Sequence, residues 1–97
     1  MTARVSLDVS NGIATLSFTA ADRRNAIDLR FTREFADAAM DCASHSDIRA
    51  ILMRADGPVF SVGGDLADML ANRERAERHV LEMASYFHLG IARLRAA

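Results

Sequence analysis

The chain has 97 residues and a mass of 10.6 kDa, which makes it one small domain at most, and a chain this short buries only a modest share of its surface. Its residues are 51% hydrophobic, enough to build a core and too many for a disordered chain. The formal net charge of −1 supplies no basic field for nucleic acid phosphates, and because every basic residue is arginine, Schiff-base chemistry and a lysine-dependent phosphate loop are both excluded.

Cys42 is the only cysteine, so neither an intrachain disulfide nor a cysteine-based zinc cluster can be assembled. Its place on the apolar side of a helical pattern predicts a small buried hydrophobe. No apolar run approaches the length of a membrane span and no charged-then-apolar leader opens the chain. The expectation is a soluble cytoplasmic protein with no membrane partner.

Val5, Leu7 and Val9 alternate with Ser6, Asp8 and Ser10, and residues 13–18 form a second run with β-branched and aromatic content. Asn11-Gly12 between them suits a type I′ turn, whose two central positions need positive φ, and so predicts an antiparallel hairpin. Residues 19–28 read as a polar connection. From Asp28, taken as an N-cap, Leu29, Phe31, Phe35, Ala38, Ala39 and Cys42 recur near a 3.6-residue period, which predicts a helix ending near Ser44-His45-Ser46. His45 reads as an exposed residue at that helix end. Residues 48–54 read as a strand whose continuous apolar centre predicts burial on both faces, and Ala55-Asp56-Gly57-Pro58 turns it.

Phe60-Ser61-Val62-Gly63-Gly64-Asp65-Leu66 carries the clearest chemical signal. Its two glycines allow close backbone approach, and Asp65 is a favoured N-cap for the helix that follows. The N–H groups of Gly63, Gly64 and Asp65 would then sit at a helix N-terminus, where orphan donors and the dipole favour negative charge. That is the physics of half an oxyanion hole. By itself the segment is better explained as a glycine turn with an ordinary cap. Beyond it, Leu66, Met69 and Leu70, then Ala76, Val80, Met83, Ala84, Phe87, Ile91 and Leu94, predict helix to the end of the chain with a break near Ala71-Asn72. Glu74 and Arg78 are spaced as a stabilising i,i+4 pair. Asp68 reads as an exposed first-turn acid, and His79 and His88 fall at no metal-ligand spacing.

The glycine segment resembles the crotonase superfamily (enoyl-CoA hydratase/isomerase), whose members carry a Phe-Ser-Ala-Gly-Gly-Asp-Leu-like run. The resemblance extends upstream to Arg23-Arg24-Asn25-Ala26-Ile27, in family order. It implies an α/β chain, residues 1–97 being a single domain that corresponds to the N-terminal part of a ClpP/crotonase-like β-β-α-β-α spiral and stops after the long helix. A doubly wound dinucleotide fold is disfavoured, since no Gly-x-Gly-x-x-Gly follows the first strand.

The resemblance further implies that the Gly64 N–H is an oxyanion donor. It places Arg24, Ala26, Ile27, Val62, Gly63, Gly64, Asp65 and Leu66 along the groove for a coenzyme A thioester, which is substrate or ligand, with no cofactor and no metal. Arg23 and Arg24 are either phosphate-facing or a solvated charge pair. Thr19-Ala20-Ala21 stands where relatives commonly read Asn-Arg-Pro, so the loop lacks the proline that stiffens it. The family's second oxyanion donor and its proton-transfer acids have no counterpart among these residues. Two expectations follow: an N-terminal fragment or truncated relative of an acyl-CoA hydratase/isomerase, catalytically incomplete alone, or a catalytically silent, self-associating module. A homo-oligomer, most simply a dimer, is expected in either case, because strand edges and the apolar stripe over residues 80–94 would be uncovered.

Overall fold

The computed structural model describes residues 3–96. In chain order it contains β1 (Val5–Ser10), β2 (Ile13–Phe18), α1 (Leu29–Ser44), β3 (Ala50–Ala55), α2 (Leu66–Ala71) and α3 (Ala76–Ala96), with 3-10 turns at Ala21–Arg23 and Arg73–Arg75. The three strands form one sheet in the order β1-β2-β3.

The hairpin forms for the expected reason. Asn11 and Gly12 take φ of 53° and 78°, and the register runs from Val5 opposite Phe18 to Ser10 opposite Ile13. The chain then crosses the sheet through α1 and returns as β3, parallel to β2, with Ile13 opposite Ala50 and Phe18 opposite Ala55. A parallel return needs such a crossover element. α1 starts where Asp28 Oδ1 accepts the Phe31 N–H at 2.8 Å, and it lays Phe31, Phe35 and Ala38 on Val5, Leu16 and Phe18. Phe18 meets Phe31 edge-on at 4.8 Å between centroids, and truncating either buried ring to alanine would cost about 3–5 kcal/mol. Cys42, further along the same helix, is buried, and burial, with Asp41 nearby, pushes its thiol pKa up.

Sequence and structure part at four places. β3 is buried on neither face: the successive residues Leu52 and Met53 are 54% and 40% exposed, because no described helix packs closely over β3 and it pairs only with β2 among the described strands. The C-terminal helical region is divided at the expected Ala71-Asn72 break, but Arg73–Arg75 is a 3-10 turn, so Glu74 lies outside α3 and makes no ion pair with Arg78 among the described residues. The stripe over residues 80–94 is also divided. Met83 is buried and Phe87 and Leu94 pack on the core, while Val80, Leu81 and Ile91 remain exposed. Finally, the connection over residues 19–28 is not simply polar surface, since Ala20, Asn25, Ala26 and Asp28 are all buried. The expected helix runs through Ala96, and Ala97 lies outside the described residues.

Candidate functional site

The two motif segments meet as a short parallel bridge between Ile27 and Gly64. Ile27 donates its N–H to Gly63 O at 2.8 Å and accepts the Asp65 N–H at 2.9 Å, while Val62 N–H reaches Arg24 O at 3.2 Å. In a parallel bridge the residue between the two bonded neighbours turns its own N–H and C=O to the opposite side. Gly64 is that residue. Its N–H therefore points away from the Ile27 segment, and among the described residues no backbone or side-chain acceptor takes it.

Asn25 organises this pairing. It is fully buried, accepts the Ala20 N–H at 3.0 Å and donates through Nδ2 to Asp56 O at 3.1 Å and Val59 O at 3.2 Å. One side chain thus ties its own loop to the segment leading into the glycines. Ser61 adds a second tie, donating to Asn25 O at 2.7 Å and accepting the Gly63 N–H at 3.0 Å. Arg24 and Asn25 both sit at φ of 53°, a region that asparagine tolerates better than most residues. Neither tie follows from the motifs themselves, in which Asn25 and Ser61 stand without a side-chain role. The available signal was the asparagine itself, a residue with two donors and an acceptor beside a required sharp turn.

Charge on the site is internally compensated. Asp65 caps α2 by accepting the Asp68 N–H at 3.1 Å and forms an ion pair with Arg23, whose guanidinium also lies 3.7 Å from Asp28. Arg4 engages the same Asp28 carboxylate at 3.2 Å. Burial alone would raise the Asp65 pKa, but the Asp68 N–H and the Arg23 guanidinium outweigh it and hold the carboxyl below the usual range. Arg23 is thus ion-paired within the protein although its side chain remains 38% exposed, and Arg24 beside it is exposed as well. Because α2 has only six residues, an extended helix dipole adds little at Gly64; the single bare N–H is what remains of that expectation.

The remaining expected residues fall in different settings. Ala26 is buried, Ile27 half-buried, and Val62 and Leu66 are 53% and 74% exposed. Beside the bridge lies an apolar hollow of about 170 Å³ lined by Ile27, Thr32, Met69, Val80, Met83, Ala84 and Phe87. Met69 borders both features, since a Cβ built on Gly64 would come 2.6 Å from Met69 Cε. Asp68 is not the exposed acid expected: it is half-buried, with Oδ2 2.6 Å from Nε2 of the buried His79. Among the described residues no group of three or more His, Cys, Asp or Glu side chains is arranged to hold a metal ion, and no helix is long and apolar enough to cross a membrane.

A family model for enoyl-CoA hydratase/isomerase matches residues 8–89. Among curated relatives, the chain is 29% identical over 85 residues to 4-chlorobenzoyl coenzyme A dehalogenase-2 of an Arthrobacter species, covering 87% of this chain and 31% of that protein. It is 38% identical over 63 residues to the trans-2-decenoyl-[acyl-carrier-protein] isomerase of Streptococcus mutans, covering 64% of this chain and 24% of the isomerase. The chain therefore spans a third or less of the length of these relatives. In fold it matches the enoyl-CoA hydratase of Bacillus halodurans with a TM-score of 0.81 at 15% identity, over 93% of this chain and 37% of the hydratase. Human enoyl coenzyme A hydratase domain-containing protein 3 matches with a TM-score of 0.75 at 24% identity, over 86% of this chain and 32% of that protein. With the family match spanning both motif segments and the α/β architecture shared over most of its length, the chain belongs to the enoyl-CoA hydratase/isomerase family.

Proposed function

We propose that these residues form the thioester-carbonyl half of an acyl-CoA site, with the Gly64 N–H as one oxyanion donor. The observation that carries this reading is the unclaimed Gly64 N–H, flanked by Gly63 and Asp65 N–H groups that are both satisfied within the protein. A single rigidly presented donor beside an apolar hollow suits a carbonyl oxygen that gains negative charge while its acyl chain is held dry. In this reading Arg24, exposed on the preceding loop, meets coenzyme A phosphates, and the Ala26-Ile27 and Val62 to Leu66 backbones, joined at the Ile27–Gly64 bridge, line the coenzyme A groove.

These residues alone bind such thioesters weakly and do not hydrate or isomerise them at an enzyme-like rate. Losing one of two oxyanion donors costs about 3 kcal/mol of transition-state stabilisation, and losing a general acid or base costs a further two to four decades of rate, roughly. Asp65 is committed to Arg23 and its cap, and Asp68 to His79. Titrating crotonyl-CoA and an unreactive thioester analogue, with loss of the conjugated absorbance as the readout of turnover, tests both statements. Binding without turnover, weakened in Gly64→Pro, is the expected result. Turnover that disappears in Gly64→Pro would show that a proton-transfer group is present after all. The absence of any binding would favour the second reading, a catalytically silent module that self-associates, which the exposure of Leu52, Phe60, Leu66, Leu70 and Leu81 supports.

A further inference from the structure

We propose that the Asp68–His79 pair is a positioning tether that holds α2, and with it the Gly63-Gly64 turn and Met69, against α3. The inference concerns how the turn is placed and does not depend on what the Gly64 N–H binds. α2 buries none of its residues fully, and its Leu66 and Leu70 are 74% and 62% exposed, so apart from Met69 apolar packing contributes little to its position. Its attachments are polar. At its start, Asp65 joins Arg23; one turn later, Asp68 Oδ2 meets His79 Nε2 at 2.6 Å across eleven residues of chain. Asn72 Nδ2 donates to Asp68 O at 2.8 Å and closes the far end of the same turn.

His79 is only 3% exposed, and a buried imidazole is costly to hold unless it is hydrogen-bonded. Asp68 supplies that bond. Since a carboxylate only accepts, a ring carrying a single proton carries it on Nε2, and Nδ1 is then a buried acceptor without a partner among the described residues. The next residue after Asp68 is Met69, which lines the apolar hollow and whose Cε occupies the space over Gly64. Releasing Asp68 would therefore free the side of the hollow and the turn together. His79 acts here through Asp68 and need not touch a ligand.

Amide hydrogen exchange and ring ¹⁵N shifts test this on the intact chain. The expected ring signature is the Nε2-protonated tautomer, lost in Asp68→Ala. Asp68→Ala and His79→Leu should each speed exchange over residues 66–71 by about tenfold or more while the sheet and α1 change by less than about threefold, as for a local opening. The double variant should add nothing beyond either single change. His79→Gln, which keeps an N–H donor, should restore most of the protection. Unchanged exchange over residues 66–71, a ring protonated on Nδ1 alone, or equal loosening of α1 and the sheet would each overturn the tether, the last by showing His79 to be a general core residue.

Discussion

Gly90 of α3 lies so close to Phe35 of α1 that a Cβ at position 90 would come within 2.5 Å of two carbons of the ring. Phe35 cannot easily yield: it is 1% exposed, tilted against Phe87 at 5.0 Å between centroids and edge-on to Phe18 at 6.5 Å, and the Ala36 backbone stands 3.4 Å from the same point. Glycine is here a packing residue that sets how closely two helices cross. Gly90→Val should destabilise the protein by about 1–3 kcal/mol through overpacking. Gly90→Ala should lose less, because alanine recovers up to about 1 kcal/mol of helix propensity. Urea midpoints of both variants check this, and a Gly90→Ala variant more stable than the parent would show that the helices separate freely.

That crossing was invisible in the sequence, where Gly90 reads as a blemish inside a helical pattern. What could be read was local: Asn11-Gly12 demands positive φ, Asp28 and Asp65 precede helical runs, and the apolar period of α1 needs a sheet face to cover. What could not be read was set by partners far along the chain. Asn25 reaches Asp56 and Val59, Arg23 reaches Asp65, and Asp68 reaches His79, and no periodicity encodes such pairings. The apolar centre of β3 predicted burial that the structure does not show: none of its six residues is buried, because burial of a strand needs elements packed over its faces, and β3 has appreciable contact only with β2.

Arg24 separates stability from binding. Its φ of 53° strains any residue with a Cβ, and the strain costs about 1–2 kcal/mol. Glycine removes that strain but has more unfolded-state entropy to lose, so Arg24→Gly should raise stability by about 0.5–1 kcal/mol net. The same change deletes the exposed cation proposed to meet coenzyme A phosphates, so thioester affinity should fall and its salt dependence flatten. A higher urea midpoint with unchanged affinity would reject the phosphate role while leaving the loop geometry intact.

Acid should weaken the fold through two carboxylates. Burial alone raises the pKa of each. At Asp65 the Asp68 N–H and Arg23 outweigh it; at Glu34 the Val5 N–H, the Arg30 guanidinium and the Arg4 N–H do the same, so both sit below the ordinary value. A carboxyl whose folded pKa is depressed stabilises the native state fully above its unfolded pKa, about 4, and that contribution is lost as pH falls through the folded value. The urea midpoint should therefore drop steeply below about pH 4. Glu34→Gln, which can still accept the two N–H groups, should be less stable at neutral pH and flatter in acid. A parent midpoint unchanged between pH 5 and 3 would contradict the assignment.

The outer edge of β3 leads to a prediction about association. Among the described residues β3 pairs only with β2, and its Met53 lines an apolar cleft of about 380 Å³ together with Phe18, Phe31, Phe35, Phe60, Phe87, Ile91 and Leu94, among others. An unpaired edge beside exposed apolar side chains is a template for another strand. In solution the chain should therefore show a light-scattering mass that rises with concentration in the micromolar range toward a dimer. Lysine on such an edge opposes pairing, because adding a strand would desolvate its charge. Leu52→Lys should thus shift the chain toward monomer. Its unfolding midpoint measured at low concentration should change little, since Leu52 is already 54% exposed. Met40→Lys, a comparable change at a 41% exposed position on α1, serves as the control and should leave association unaltered. A parent chain that stays monomeric over the whole range, or a Met40→Lys variant that dissociates as readily as Leu52→Lys, would place the association surface elsewhere or remove it.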